Sequence, residues 1–124
     1  MKKQLDQVQE FMIMSNQEIN HKPKLVSDEL ASLRYELMKE ENEEYLLACS
    51  NDDLVEIADA LGDKLYILLG TILTHGMQHK IEEVFNLINS NNMNKCPNGI
   101  CEFREDGKLM KPKGFEKVEL KQLF

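Results

Sequence analysis

The sequence predicts an all-α fold of four helices with a short irregular or hairpin tail, and three observations carry that prediction. Apolar residues recur at helical rather than alternating spacing through most of the chain. Capping residues punctuate the periodic stretches: Ser27 before the second, Asn51 before the third and Gly76 after it. The tight-turn dipeptides Asn98-Gly99 and Asp106-Gly107 both lie beyond the last stretch. With 124 residues, 42% hydrophobic and 30% charged, the chain reads as one domain with a modest core. That domain covers residues 1–124, with a helical core over about 1–92 and a basic tail over about 93–124.

The first helix is expected from about Gln4 to Ile19, with Leu5, Val8, Phe11 and Met12 on its buried side. Pro23 disfavours helix for the residue before it, so His21–Lys24 reads as a linker. The second helix starts after Ser27 with Asp28 and Glu29, whose charges suit a helix N-terminus, and runs to about Cys49. Its apolar stripe is Leu30, Leu33, Leu37, Leu47 and Ala48. Glu40, Glu41 and Glu44 project into the same arc, while Glu36 and Glu43 lie away from it.

The third helix is capped by Asn51, with Asp52 and Asp53 as dipole partners, and runs to about His75. Leu54, Ile57, Leu61, Leu65, Leu68 and Ile72 form its apolar stripe; Glu56, Asp59 and Asp63 line up on another face. Gly62 and Gly70 lie inside this helix at about 1 kcal/mol each relative to alanine. They mark close helix packing or room for a ligand. His75 and His79 read as structural. A fourth helix is expected from Met77 to about Asn91 on the spacing of Ile81, Val84, Phe85 and Ile88.

A connection as short as that between the second and third helices makes them antiparallel, which sets their acidic groups face to face. A run such as EENEE ordinarily belongs to a solvated helix face. The register argues otherwise for Glu40, Glu41 and Glu44, because they stand where core residues are due. Unpaired carboxylates there cost several kcal/mol each, so something cationic should compensate them. Five or six facing carboxylates are a site for a hard divalent cation, Mg²⁺ with Mn²⁺ as the substitute. A metal-storage or sensing bundle more often sets histidine beside carboxylate, and no histidine shares this spacing.

A net charge of −7 argues against nucleic-acid binding through a basic face. It still allows a polyphosphate ligand bridged by metal. No apolar run reaches membrane-spanning length and none resembles a signal peptide, so a cytoplasmic protein with no membrane partner is expected. Residues 95–124 hold seven Lys/Arg and five Asp/Glu, a balance of +2 against −9 for the rest. Such a tail either covers the acidic site and meets phosphates or serves solubility. Cys96 and Cys101 flank the Asn98-Gly99 turn and are expected as free thiols in a reducing compartment.

Glu40-Glu41-Asn42-Glu43-Glu44 followed by Glu56-Ile57-Ala58-Asp59 resembles the split EExxE…ExxD signature of the all-α nucleoside triphosphate pyrophosphohydrolases. That superfamily includes MazG-like enzymes, phosphoribosyl-ATP pyrophosphohydrolases and dimeric dUTPases. Asp59-Ala60-Leu61-Gly62-Asp63, Leu65-Tyr66 and Gly70-Thr71 resemble the helix that follows in MazG-like members. Asn92-Met93-Asn94-Lys95, Arg104–Lys108 and Lys111 resemble the end of a phosphoribosyl-ATP-pyrophosphohydrolase-like subgroup.

The resemblance implies a four-helix MazG-like bundle that cleaves a nucleoside triphosphate to the monophosphate and pyrophosphate with Mg²⁺. House-cleaning of dUTP or non-canonical nucleotides is the reading adopted. Phosphoribosyl-ATP hydrolysis in histidine synthesis is the alternative, and a non-catalytic helical interaction module is a third. The implied metal ligands are Glu40, Glu41, Glu44, Glu56 and Asp59, with Glu41 or Glu44 as the catalytic base. Asp63 is an outer-shell or substrate contact, and Asn92, Lys95, Lys108 and Lys111 are the nucleotide-binding candidates. The family is commonly a homodimer or a dimer of dimers.

Overall fold

Four helices account for most of the chain in a computed structural model that describes residues 1–124: α1 Lys2–Met14, α2 Asp28–Ser50, α3 Leu54–Thr74 and α4 Ile81–Met93. Pro97–Gly99 and Lys121–Leu123 add single 3₁₀ turns, and there are no strands. The fold is all-α, as expected. No helix is long and apolar enough to cross a membrane. The chain divides into two units, Met1–His79 and Lys80–Phe124.

In the first unit, helix ends follow from single residues. Ser27 caps α2, its Oγ accepting from the Leu30 N–H at 3.2 Å. At the other end of α2, Asp52 adopts a left-handed conformation (φ 52°). The N–H groups of Asp52 and Asp53 turn back to the carbonyls of Cys49 and Ala48, the reverse turn that closes helices after a left-handed residue. Asn51 therefore ends α2 instead of starting α3. The α3 cap is Asp53, whose Oδ1 accepts from the Glu56 N–H at 3.1 Å. The same reverse turn ends α1 at Met14, short of the expected Ile19, because Asn16 is left-handed (φ 55°). It also ends α3, where Gly76 (φ 68°) sends its N–H to Leu73 and that of Met77 to Ile72. A Cβ on Gly76 would sit 2.0 Å from the Lys22 carbonyl oxygen.

Residues 15–27 are laced onto the end of α3. The Asn20 N–H donates to Leu73 O at 3.0 Å and its side-chain amide to Thr74 O at 2.7 Å. The Lys24 N–H donates to His75 O, and His75 Nδ1 donates back to Lys24 O at 3.1 Å. His75 is structural, as its sequence position suggested.

The antiparallel pair α2–α3 packs differently from the leucine pattern. Buried residues on α2 are Arg34, Glu41 and Ala48, spaced seven apart; those on α3 are Ala60, Leu69, Gly70, Leu73 and Thr74. Leu33 and Leu47 of the expected α2 stripe are exposed, as are Leu54, Leu61, Leu65 and Leu68 of α3. Ala48, Ala60 and Gly70 are the small residues among those buried, and Gly70 leaves room for the Arg34 side chain. α1 packs on α3 through Leu5, Val8 and Met12. Phe11 is half exposed and meets Tyr66 edge to face at 5.7 Å.

Arg34 is the unexpected core residue, only 6% exposed. Its Nε donates to Thr71 Oγ1 at 3.0 Å, Nη2 to the Ile67 carbonyl at 2.8 Å and Nη1 to Gln17 Oε1 at 3.3 Å. Gly70 makes that position possible, since a Cβ there would lie 2.6 Å from Arg34 Nη2. Gly62 has nothing within 4 Å of where its Cβ would be, so close packing within this chain does not explain it.

The second unit has no buried residue. α4 starts at Ile81 rather than Met77, because Met77 closes the turn that ends α3. Its Phe85 and Ile88 are exposed. Cys96 and Cys101 are joined in a disulfide, against the expectation of free thiols. The left-handed Asn98 and Gly99 (φ 57° and 75°) fold the chain back and bring the two Cα atoms to 4.3 Å. The expected turn at Asp106-Gly107 forms a small hairpin, with the Arg104 N–H on Lys108 O and the Met110 N–H on Glu102 O. The Val118 N–H donates to Asn91 Oδ1 at 3.0 Å and ties the tail to α4.

Gly70→Ala should force Arg34 out of its seat and destabilise the protein by about 1–3 kcal/mol. Gly62→Ala should be neutral or slightly stabilising by its gain in helix propensity. Urea titrations of the two variants side by side test this; equal effects would show that the Arg34 contact is slack.

Candidate metal and nucleotide site

The first acidic group comes from the second half of α2, where Glu41 and Glu44 lie one turn apart. Antiparallel packing sets the middle of α3 opposite, and Asp63 with it. One carboxylate oxygen from each of Glu41, Glu44 and Asp63 lies within 4.8 Å of the other two. Glu44 also borders a groove of about 450 Å³ that it shares with Asn51, Glu56 and Asp59 over a floor of Ala48 and Ala60. Glu44 is thus common to both acidic sets.

The cluster has no cation from the chain. The protein's ion pairs are Lys2–Asp6 and Arg104–Asp106, and Lys64, next to Asp63, donates instead to Asn42 Oδ1 at 2.5 Å. Glu41 is 9% exposed and its Oε2 has no hydrogen-bond partner. Burial pushes the Glu41 carboxyl up to about 7, and the charges of Glu44, Asp63 and Asp59 push the same way. A buried oxygen without a donor and three converging carboxylates suit a hard divalent cation, which would satisfy that oxygen and offset the repulsion. The all-oxygen donor set fits Mg²⁺ or Mn²⁺ better than a softer metal.

The residues singled out from the sequence are distributed as follows. Glu41, Glu44, Glu56 and Asp59 fall in the two linked acidic sets. Glu40 is exposed and belongs to neither, because it lies one residue round the helix from the buried Glu41. Asp63, expected as an outer or substrate contact, stands among the closest three; its place one turn after Asp59 was the available signal. Asn92, Lys95, Lys108 and Lys111 all lie in the second unit. There, Lys95 Nζ donates to Asn92 Oδ1 at 3.0 Å. Lys108 lies in the hairpin, and Lys111 follows it, exposed. Arg104 is engaged by Asp106, whose carboxyl it holds below the usual range.

An all-α fold with carboxylates facing each other across an antiparallel helix pair agrees with the class of MazG-like nucleoside triphosphate pyrophosphohydrolases, to which the family match assigns the chain. Residues 8–92 match the family described as phosphoribosyl-ATP pyrophosphohydrolase, and the chain belongs to that family. It is accordingly a nucleotide pyrophosphohydrolase, a hydrolase of phosphoric anhydrides. No curated protein matches the chain.

The raised Glu41 carboxyl gives the metal-free protein a defined pH response. Between about 4.5, its ordinary value, and about 7 the folded state holds a proton that the unfolded chain releases. Stability should therefore fall as pH rises through that window and level off above it. Glu41→Gln should remove the decline and raise the melting temperature at pH 8 without metal. Melting curves from pH 4.5 to 8 in EDTA check it; a decline of the same size in the variant would place its origin elsewhere.

Proposed function

We propose that this protein hydrolyses deoxynucleoside triphosphates to the monophosphate and pyrophosphate as a house-cleaning enzyme for dUTP or non-canonical nucleotides, with Mg²⁺ held by Glu41, Glu44, Glu56, Asp59 and Asp63. The observation that carries it is the convergence of Glu41, Glu44 and Asp63 around an oxygen that nothing in the chain satisfies. A bound hard cation supplies the neutralising charge that lets an acidic site take up a polyphosphate.

The chain's own residues do the rest. Glu41 or Glu44 accepts the proton of a water whose oxygen bonds to one phosphorus of the α–β anhydride. That anhydride bond breaks, and pyrophosphate and the monophosphate separate. Glu44 belongs to both the cluster and the groove, which supports a role for it beside the reacting phosphorus. Phosphoribosyl-ATP is the second reading, favoured by the family match over residues 8–92. A homodimer is supported by the apolar flank of α3 that the chain leaves uncovered, Leu54, Leu61, Leu65 and Leu68.

Activity should vanish in EDTA and return with Mg²⁺ or Mn²⁺ but not Ca²⁺. Glu44→Gln should lower kcat by about 10²-fold or more, and Lys108→Ala should act mainly on KM. Ion-exchange separation of the products decides the reaction: a nucleoside diphosphate with phosphate, or full turnover without metal, would overturn it. Comparing dUTP, dITP and phosphoribosyl-ATP in the same assay ranks the two substrate readings.

Dimerisation is open to a separate check. Leu61→Asp should shift the protein toward monomer in sedimentation velocity while the far-ultraviolet helical signal stays unchanged. A monomeric parent protein would remove the proposal.

A further inference from the structure

We propose that Cys96 and Cys101 form a reversible thiol–disulfide exchange site, and that its closure clips the tail hairpin to the end of α4 and so sets the affinity for nucleotide. The exchange chemistry stands on the second unit alone. Only its effect on affinity rests on the hydrolytic reading above.

The turn between the two cysteines is built without help from their sulfurs. The Gly99 N–H donates to Cys96 O and the Ile100 N–H to Pro97 O, both at 3.0 Å. Pro97 and the left-handed Asn98 and Gly99 complete it. After reduction that turn keeps the two thiols close, so the bond can close again without a search of the chain. Opening is equally accessible. Cys101 is exposed and Cys96 half-buried, in a unit with no buried residue to shield them. A ring closed over a sequence separation of five also constrains the unfolded chain little. Exposed disulfides of this kind are the labile ones, whereas structural bonds resist reduction.

The reductant is a low-molecular-weight thiol or a protein dithiol. Its thiolate attacks the exposed Cys101 sulfur, the S–S bond breaks, and Cys96 leaves as a thiolate that takes a proton from solvent. A second thiolate attacks the outer sulfur of the mixed disulfide and releases Cys101 in the same way. The cysteine pair gains two electrons and two protons, and two external thiols become one disulfide.

The bond joins two pieces that each carry a lysine assigned to the nucleotide. On one side is the end of α4, where Lys95 Nζ donates to Asn92 Oδ1 at 3.0 Å and the Cys96 N–H to Met93 O. On the other, Cys101 leads straight into the hairpin that holds Lys108, its stem closed between Glu102 and Met110 and between Phe103 and Leu109. A hollow of about 230 Å³ lies between the pieces, with Lys95, Pro97 and Ile100 on one wall and Glu102, Met110 and Pro112 on the other. Beyond the hairpin, the Val118 N–H on Asn91 Oδ1 ties the tail to α4 a second time. With the disulfide open the hairpin stays tethered but can swing away from Lys95. Reduction thus loosens the spacing of Lys95 and Lys108 without releasing the tail.

The full chain, equilibrated in mixtures of reduced and oxidised glutathione, is quenched with acid and alkylated after denaturation. Mass spectrometry then counts the labels, with Cys49 as the constant one. The count should pass from one to three and back as the mixture changes. In the reduced protein trypsin should cut after Arg104 or Lys108 severalfold faster, and KM for dUTP should rise severalfold with kcat little changed. Cys101→Ser, at an exposed position, should match the reduced protein in both readings and ignore added thiol. A count fixed at one in excess reduced glutathione, or at three in oxidised glutathione, would overturn the exchange site. Equal tryptic rates would overturn the clip, and an unchanged KM beside altered tryptic rates would overturn its link to nucleotide. Absence of turnover in both states would overturn the hydrolytic reading instead, while label count and tryptic rate still decide the exchange site.

Discussion

Two opposite charges are buried on one row of α2, and they do not neutralise each other. Arg34 and Glu41 are two turns apart, too far for an ion pair, and each meets α3 at a different level. Arg34 is satisfied by neutral oxygens of Thr71, Ile67 and Gln17. Glu41 is answered only by more acid, Glu44 and Asp63. Small residues accompany them, Ala48 on α2 and Ala60 and Gly70 on α3, and the missing Cβ at Gly70 leaves room for Arg34. Antiparallel packing thus serves the site as well as stability: it is what places α3's acid against α2's.

The same constraint explains where the leucines went. A pair of helices can bury one stripe each against the other, and here that stripe is used for a guanidinium, a carboxylate and small residues. The leucine-rich flank of α3 is left over and partly uncovered. In a monomer that surface is a liability, and its continuity along α3 is the basis of the dimer proposed above.

Much of this was legible in the residues, and the misses share a cause. Ser27 and Gly76 mark helix ends by local chemistry alone, a hydroxyl cap and a left-handed turn, so they could be placed without the fold. The acids of α2 and α3 were found because helical spacing fixes faces. Which acid sits innermost was not legible: Glu40 and Glu41 differ by about 100° around the helix, and only the rotation of α2 against α3 decides between them. The misplaced caps follow from left-handed Asn16 and Asp52, conformations that asparagine and aspartate tolerate but do not announce. The Arg34 seat depends on the absence of a Cβ at Gly70, 36 positions away. The disulfide was missed for another reason: compartment argued for thiols, whereas the turn geometry joins them.

The lacing of Asn20 and Lys24 onto residues 73–75 has a consequence for the order in which the chain assembles. The α2–α3 pair is joined by only a three-residue turn, so its contacts are local and can form early. The bonds of Asn20 and Lys24 instead close loops of some fifty residues, and their acceptors do not exist until α3 has ended at Gly76. During synthesis α1 leaves the ribosome first yet has nothing to dock against. Its face of Leu5, Val8 and Met12 stays open until the far end of α3 emerges, and α1 is the last piece of the first unit to settle.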